Sequence, residues 1–194
     1  MSTKVILKNV RLSFPYLFNQ SDKSNKFEAT FMLDPNDEKN LKAIKKGIKA
    51  ALAESKLAAK FGKSKIGWKG SCLKSQDDDL VDIKTIGGMV GETEGKIRDE
   101  YEGLYLVKAS NATRPNIVDR DKTPLDSTDG RPYSGCYVLA VLGVWIQDND
   151  FGQRINCELQ GVQFMSDGEA FAGGAVASSD DFDDDFDDED EDDI

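Results

Sequence analysis

The residues most suited to chemistry in this sequence are an indole and the ammonium groups around it. Trp68 lies in a ten-residue stretch with four lysines, Lys60, Lys63, Lys65 and Lys69. A flat ring can stack on a nucleic-acid base while cations neutralise phosphates, and each stacked base contributes about 1–3 kcal/mol. We therefore predict that Lys65, Trp68 and Lys69 contact a single nucleic-acid strand. The sequence leaves an alternative equally open, in which Trp68 packs beneath its loop as part of the core.

Four tyrosines form a second candidate group, because each lies at a strand edge or beside polar residues where one ring face can stay open: Tyr16, Tyr101, Tyr105 and Tyr133. Tyrosine in such positions is more often a half-buried core residue, so both interpretations stand for each of them. Five aromatic residues in strongly alternating strands are expected to pack in the core: Phe14, Phe27, Phe31, Tyr137 and Trp145.

Basic residues outside that loop complete the candidate set: Lys8, Arg11, Lys26, Lys108, Arg114, Arg120 and Arg131. Residues 1–69 hold fifteen bases and six acids, a local surplus of nine positive charges. Such a surplus can form a positive groove. We predict DNA contacts for Arg11, Lys26, Lys108, Arg114 and Arg120. A merely solvated face is the better interpretation for the helical lysines between Lys39 and Lys49.

The absence of histidine from the sequence argues against an enzyme. Histidine is the commonest general base and a frequent zinc ligand. The three cysteines, Cys72, Cys136 and Cys157, are too widely spaced for a metal knuckle or a disulfide framework. We expect no catalysis, no cofactor and no metal, and we expect Cys136 and Cys157 to be buried, reduced thiols in a cytosolic protein.

The C-terminal segment Ser178–Ile194 carries twelve acids and no base, with Phe182, Phe186 and Ile194 among them. The whole chain has 36 acids and 25 bases, so the body without this segment has 24 acids and 25 bases and is close to neutral. A tethered polyanion can mimic a phosphate backbone and compete for a cationic groove at high effective concentration. Its three apolar side chains are candidates for docking into a basic pocket of a partner.

The pattern of the body predicts mainly β structure with one helix. Alternating residues predict strands over 4–18, 26–33, 101–110, 136–146 and 154–165, the first two as a hairpin and the 136–146 strand in the centre of a sheet. A stripe of Leu41, Ile44, Ile48, Leu52 and Ala59 predicts a helix over about 37–60, capped by Asn36 or Asp37 and ended by Gly62. These elements favour an open Greek-key barrel of the OB type over residues 1–174, followed by a disordered acidic tail over 175–194.

Several segments, in this order and spacing, resemble the phage-encoded single-stranded DNA-binding proteins of OB-fold type: RLSFPYLF (11–18), KFEATFML (26–33), RPNIVDRDKTPL (114–125), YSGCYVLAVLGVW (133–145) and LQGVQFMSDGE (159–169). The resemblance covers about residues 4–174. It implies binding of single strands without sequence preference during phage replication and recombination, with an acidic tail that regulates binding and recruits partners. Members of such families usually end in phenylalanine, whereas this chain ends in Ile194.

The leading hypothesis is therefore a single-stranded DNA-binding protein of the host-cell cytoplasm, with no membrane association and with a homodimer as one open oligomeric state. The first alternative is an interaction protein whose acidic arm mimics DNA and binds basic partners. The others are a strand-annealing recombination protein and, least favoured, a nuclease that uses carboxylates and metal ions.

Overall fold

The computed structural model describes residues 2–55, 68–75 and 99–171, with Trp68 and Lys69 described by their backbone alone. Within these ranges the chain forms eight strands and one α-helix, which are β1 (Thr3–Tyr16), β2 (Phe27–Leu33), α1 (Glu38–Glu54), β3 (Trp68–Ser71), β4 (Leu73–Lys74), β5 (Tyr105–Asn111), β6 (Asn116–Val118), β7 (Tyr137–Asn149) and β8 (Gly152–Ser166). The predicted tail over 175–194 lies outside the described residues. Among the residues that the structure describes, no helix is both long and apolar enough to cross a membrane.

Two antiparallel hairpins form the centre of the sheet. β1 pairs with β2, with Leu12 opposite Phe31, and both side chains are fully buried. β7 pairs with β8 as far as Asn149 opposite Gly152. The first pairing confirms the hairpin predicted for the N-terminal strands, and the second confirms that residues 154–165 fold back onto the preceding strand.

β7 lies between β8 and β1 and is therefore a central strand, as its long apolar run predicts. Val138, Ala140, Leu142 and Val144 are fully buried because every second side chain of a strand points to the same face. That face supplies much of the hydrophobic core, which it shares with α1 and with the buried residues of β1 and β2.

The sheet curls into a barrel that stays open. Its strand order is β3-β8-β7-β1-β2-β5-β4, and β6 also pairs with β8. β5 returns to β8 at a single residue pair, Ser110 opposite Glu158. Because one pair does not complete a ladder, the barrel is not closed, and a cleft remains where these two strands diverge. The mainly β, open-barrel class is confirmed, while the more specific OB type stays a prediction.

Helix α1 begins where its cap predicts and ends earlier than expected. The Asp37 side chain accepts a hydrogen bond from the backbone N–H of Asn40, which satisfies one of the free donors of the first turn. The predicted end near residue 60 is wrong, because Ser55 is extended and its hydroxyl donates to the Leu52 carbonyl at 2.7 Å. Ala59 and Gly62 lie outside the described residues.

The position of α1 on the sheet depends on Gly47. The helix buries the predicted stripe of Leu41, Ile44, Ile48 and Leu52 against the barrel. A β-carbon at residue 47 would overlap the Cγ2 atom of Val5 on β1. Glycine therefore allows the helix backbone to approach β1 closely, at some cost in helix propensity.

The strand predicted over 101–110 begins four residues later, at Tyr105. Residues Asp99–Tyr101 form a short 3-10 helix instead. The change of structure places Tyr101 in a small apolar cluster with Met32 and Leu106, on the opposite side of the β2–β5 pair from the main core.

The three cysteines are free and buried, as predicted for Cys136 and Cys157. Burial raises the pKa of the Cys136 thiol to about 11. A hydrogen bond with Cys72, followed by burial, raises the pKa of Cys157 well above its ordinary value. Because the thiolate is the reactive form, Cys136 and Cys157 are poor nucleophiles at neutral pH.

Candidate nucleic-acid interface

A cleft of about 460 Å³ lies where β5 and β8 diverge at the open side of the barrel. Four basic residues from four different parts of the chain line it, and we call it the cationic cleft: Lys26, Lys74, Lys108 and Arg154. Lys26 and Lys108 belong to the predicted DNA contacts. Lys74 and Arg154 were not predicted, because the sequence does not show that β4 and β8 meet β5 at this opening.

Strand alternation directs these cations into the cleft. On β5, Val107 and Ala109 are buried in the core while Lys108 between them is exposed. On β8, Ile155 is buried and its neighbour Arg154 is exposed. Since successive strand residues point to opposite faces, the same alternation that builds the core directs both charges outward.

The cleft carries an excess of positive charge that the described residues leave unpaired. The one ion pair among them, Arg131 with Asp119 at 2.6 Å, lies elsewhere. A single acid, Glu158, lines the cleft, and its carboxylate accepts a hydrogen bond from Gln160 at 2.9 Å. Four cations against one carboxylate attract an anion, and their spread along the cleft suits a chain of anions.

Two of the other cleft cations affect the pKa of Lys74. Partial burial lowers it below the ordinary lysine value, and the nearby charges of Lys108 and Arg154 lower it further. Both effects disfavour the charged form of the amine. An anionic ligand in the cleft would relieve the repulsion and raise the pKa of Lys74 toward its ordinary value.

Trp145 lines the same cleft, which makes its predicted place in the core wrong. It is 38% exposed, whereas its neighbour Val144 is fully buried. β1 pairs with β7 only as far as Thr3 opposite Val144, so no described strand covers this side of β7 beyond that point. The sequence holds one signal of this outcome, since Trp145 shares its strand face with the polar residue Gln147.

The Trp68 position lies at the edge of the cleft. Its backbone pairs with Gln153 on β8, beside Arg154, and the neighbouring Gly70 lines the cleft itself. The side chains of Trp68 and Lys69 are not described, and Lys65 lies outside the described residues. The nucleic-acid contacts of Lys65, Trp68 and Lys69 therefore stay predictions. The backbone position of Trp68 and Lys69 at the edge of the cleft is compatible with such contacts.

Arg11 does not lie in the cleft but holds the end of the described chain. Its Nε donates to the Gly135 carbonyl at 3.2 Å and its guanidinium NH2 donates to the Glu169 carbonyl at 2.8 Å. The guanidinium carbon also lies 4.2 Å from the centre of the Phe171 ring. These contacts give Arg11 a structural role, for which the sequence offered no signal because its partners lie more than 120 residues away.

Two of the four tyrosines are tied into the body by their hydroxyl groups. Tyr101 is 8% exposed and its hydroxyl shares a 2.7 Å hydrogen bond with the Ser13 hydroxyl, so the expected open ring face is wrong for this residue. Tyr133 is half-buried, donates to Asp167 at 2.9 Å and accepts from the Gly168 N–H at 3.1 Å. Burial is the main cause that raises the pKa of Tyr133.

The remaining predicted contacts are dispersed over the surface. Tyr16 is 48% exposed at the end of β1, and Tyr105 is half-buried with the Lys45 ammonium 5.6 Å from its ring centre. The Arg114 guanidinium lies over Phe18 at 5.4 Å, and Arg120 is exposed in the turn after β6. None of these residues lines the cleft, and Phe182, Phe186 and Ile194 lie outside the described residues.

Comparisons with known proteins place this arrangement among phage proteins. The solved single-stranded DNA-binding protein from bacteriophage Enc34 is similar, with a TM-score of 0.66, 26% identity, and coverage of 93% of this chain and 90% of that chain. The same protein solved in complex with ssDNA matches with a TM-score of 0.64 and 26% identity, over 88% of this chain and 90% of that chain.

Sequence comparison agrees with the structural comparison. A protein named p50, from Acyrthosiphon pisum secondary endosymbiont phage 1, is 37% identical over 184 residues, which is 93% of this chain and 92% of that protein. A family model described as "Enterobacter phage Enc34, ssDNA-binding protein" matches residues 3–194 and confirms the resemblance inferred from the sequence motifs. The chain therefore belongs to the Enc34 family of phage single-stranded DNA-binding proteins.

Proposed function

We propose that this chain binds single-stranded DNA without sequence preference, with the phosphate backbone in the cationic cleft. The observation that carries the proposal is the convergence of Lys26, Lys74, Lys108 and Arg154 without ion-pair partners among the described residues. A polyanion offsets such a cluster and releases counterions when it binds. The Enc34 protein solved in complex with ssDNA supports the same class of ligand for this family member.

Trp145 gives the cleft its second ingredient. Its exposed indole lies on the hairpin arm of β7 and β8, close to Arg154, and can stack on a base while the cations hold phosphates. Stacking is tolerant of sequence because every base has a flat face. The proposed role is binding and protection of single strands, with no catalytic step.

The acidic tail is proposed to compete with DNA for this cleft. The described chain ends at Phe171, which packs on the same apolar cluster as Leu106 of β5. Lys108 lies two residues further along that face of β5, so the last described residue, Phe171, packs on the face of β5 that carries a cleft cation. Its twelve carboxylates then act as a tethered phosphate mimic.

The wider role proposed for the chain is phage DNA replication and recombination in the host-cell cytoplasm. Displacement of the tail from the cleft by DNA would make Phe182, Phe186 and Ile194 available to other basic surfaces, which include those of partner proteins. The chemistry of the tail, which combines carboxylates with bulky apolar groups, suits a basic pocket with an apolar floor.

Binding can be tested by anisotropy of labelled oligothymidine and oligoadenosine strands with the full chain at several salt concentrations. Single strands give a slope of about −0.7 in log affinity against log salt for each phosphate neutralised, so four cations predict a slope of about −3. The acidic-arm alternative predicts instead that DNA does not bind and that basic proteins do. Absence of salt-sensitive binding to both strands would overturn the proposal.

A further inference from the structure

Helix α1 presents a second cationic surface, away from the cleft. Four lysines surround a shallow groove of about 580 Å³ whose apolar lining includes Pro35 and Leu41, and we call this surface the α1 lysine face: Lys42, Lys45, Lys46 and Lys49. Three of the four lysines are exposed and Lys45 is half-buried over Tyr105. An apolar groove with a rim of ammonium groups fits a peptide that carries both carboxylates and aromatic rings.

The α1 lysine face has little negative charge of its own. Glu38 is the single acid that lines its groove, and none of its lysines forms an ion pair with a residue that the structure describes. The opposite side of α1 is buried against the barrel through Ile44 and Ile48. The exposed side is therefore an unneutralised strip along a well-anchored helix.

The described chain ends beside the start of this helix. The Phe171 ring stacks against Phe14, with ring centres 6.1 Å apart. Phe171 also lines a cavity together with Asp34 and with Asp37, the residue that caps α1. These carboxylates repel an acidic segment, whereas the lysines begin one turn further along the helix at Lys42.

The tail is long enough to reach the whole face. Ten residues separate Phe171 from Phe182, and an extended chain spans at most about 3.3–3.6 Å per residue, or roughly 36 Å here. A helix of 17 residues is about 25 Å long. Phe182 and Phe186 can therefore lie anywhere along the groove while their flanking carboxylates face the lysines.

We propose that the α1 lysine face holds the acidic segment Ser178–Ile194 of the same chain when DNA occupies the cleft. This inference rests on the proposed function, because it gives the displaced tail a second binding site. The cleft and the α1 lysine face then share one tethered polyanion. A tail bound to the α1 lysine face does not compete with DNA for the cleft.

The proposal has a consequence that a direct DNA contact does not share. Loss of the α1 site leaves the tail with the cleft alone, so its competition becomes stronger and DNA binding becomes weaker. The effect requires the tail charge. Substitutions far from the cleft should therefore weaken DNA binding in a chain with its natural tail and have no effect once that tail is neutral.

The test combines Lys42→Gln, Lys46→Gln and Lys49→Gln in two full-length backgrounds. One background has the natural tail, and the other has the twelve carboxylates of Ser178–Ile194 replaced by their amides. Anisotropy of a labelled oligothymidine at low salt measures affinity, and Lys39→Gln is the matched control because Lys39 is exposed on the same helix outside the groove. We expect the triple variant to weaken binding roughly three- to tenfold with the natural tail and not at all with the neutral tail.

Other outcomes overturn the proposal. Equal weakening in both backgrounds means that the α1 lysine face contacts DNA itself, and no change in either background means that the face holds nothing. Failure of the proposed function is distinguishable, because the neutral-tail chain with all its lysines would then not bind DNA at all.

A second measurement identifies which tail occupies the face. Zero-length carbodiimide crosslinks can be mapped in an equal mixture of 14N- and 15N-labelled full chains with oligothymidine present. We expect crosslinks from Lys42, Lys46 or Lys49 to tail carboxylates within one isotope. Crosslinks that join the two isotopes would assign the face to the tail of another copy and would contradict docking within the chain.

Discussion

Lys74 and Lys108 are diagonal neighbours on the paired strands β4 and β5, and the charge of Lys108 adds to burial in lowering the pKa of Lys74. The fold thus holds two positively charged side chains close together although their charges repel. Repulsion of this kind lowers stability in the free protein and is relieved when an anion binds. The relationship is therefore better explained by ligand binding than by stability.

Replacement of Lys108 by alanine should weaken DNA binding and reduce its salt dependence. Removal of one phosphate contact lowers the slope of log affinity against log salt by about 0.7. The same change should raise the pKa of Lys74, because one of the charges that lowers it is gone. Anisotropy at several salt concentrations measures the first effect, with Lys4→Ala as the control, since Lys4 is exposed on β1 and does not line the cleft.

Because of Lys74, DNA binding should weaken as pH rises into the alkaline range. Because the pKa of Lys74 is lowered in the folded protein, Lys74 loses its proton at a lower pH there than in the unfolded chain, where the pKa is 10.5. Between these two pKa values the unfolded state binds more protons, so the free energy of unfolding increases as pH rises. DNA restores the proton, so binding should take up protons and weaken as pH rises there. Calorimetry in two buffers of different ionisation enthalpy measures the uptake.

Lys74→Arg is the matched variant for that experiment, because arginine stays protonated across the same pH range. It should bind DNA with little proton uptake and with a flatter pH profile. Identical profiles for the natural chain and Lys74→Arg would show that another group titrates.

Trp145→Ala should lower DNA affinity by about 1–3 kcal/mol, the usual value of one stacked base. Its salt slope should stay unchanged because no phosphate contact is lost. Stability should change little, since the indole is 38% exposed and is not part of the core. Trp145→Phe should keep most of the affinity and leaves Trp68 as the sole indole. Quenching of its remaining fluorescence by DNA would show that Trp68 also stacks.

Arg11→Gln should destabilise the fold by about 1–2 kcal/mol, because hydrogen bonds from a charged donor to the Gly135 and Glu169 carbonyls are lost. Measured in the neutral-tail chain, DNA affinity should not change. Urea unfolding and anisotropy on the same preparation separate the two effects. A lower affinity with unaltered stability would restore Arg11 as a DNA contact.

Local patterns were sufficient to predict the elements that form the core. Alternation in 26–33 and the apolar run in 136–146 identified β2 and β7, and Asp37 marked the start of α1, because each signal depends on neighbours within a few residues. α1 ends at Ser55, whose hydroxyl donates to the Leu52 carbonyl of the last helical turn. The sequence does not predict this end, because serine also occurs within helices and in loops.

The candidate site could be predicted only in part, because it is assembled by long-range pairing. Lys26 and Lys108 are 82 residues apart in sequence, and the β2–β5 pairing brings Lys108 on β5 near Lys26, which immediately precedes β2. Trp145 looked like core because its sequence neighbours are apolar, whereas strand alternation places it on the outward face of β7, opposite the buried Val144, and the β1 pairing ends at Val144. Tyr101 looked open because polar residues flank it, whereas its hydroxyl finds Ser13 in a second apolar cluster.

Photocrosslinking of the full chain to an oligonucleotide that carries 5-iodouracil can show whether the cationic cleft binds the single strand. We predict that crosslinked peptides contain Trp145 and other residues that line the cationic cleft, and that Lys108→Ala reduces their yield. Crosslinks confined to distant aromatics such as Tyr16 or Tyr133, with none in the cleft, would contradict it.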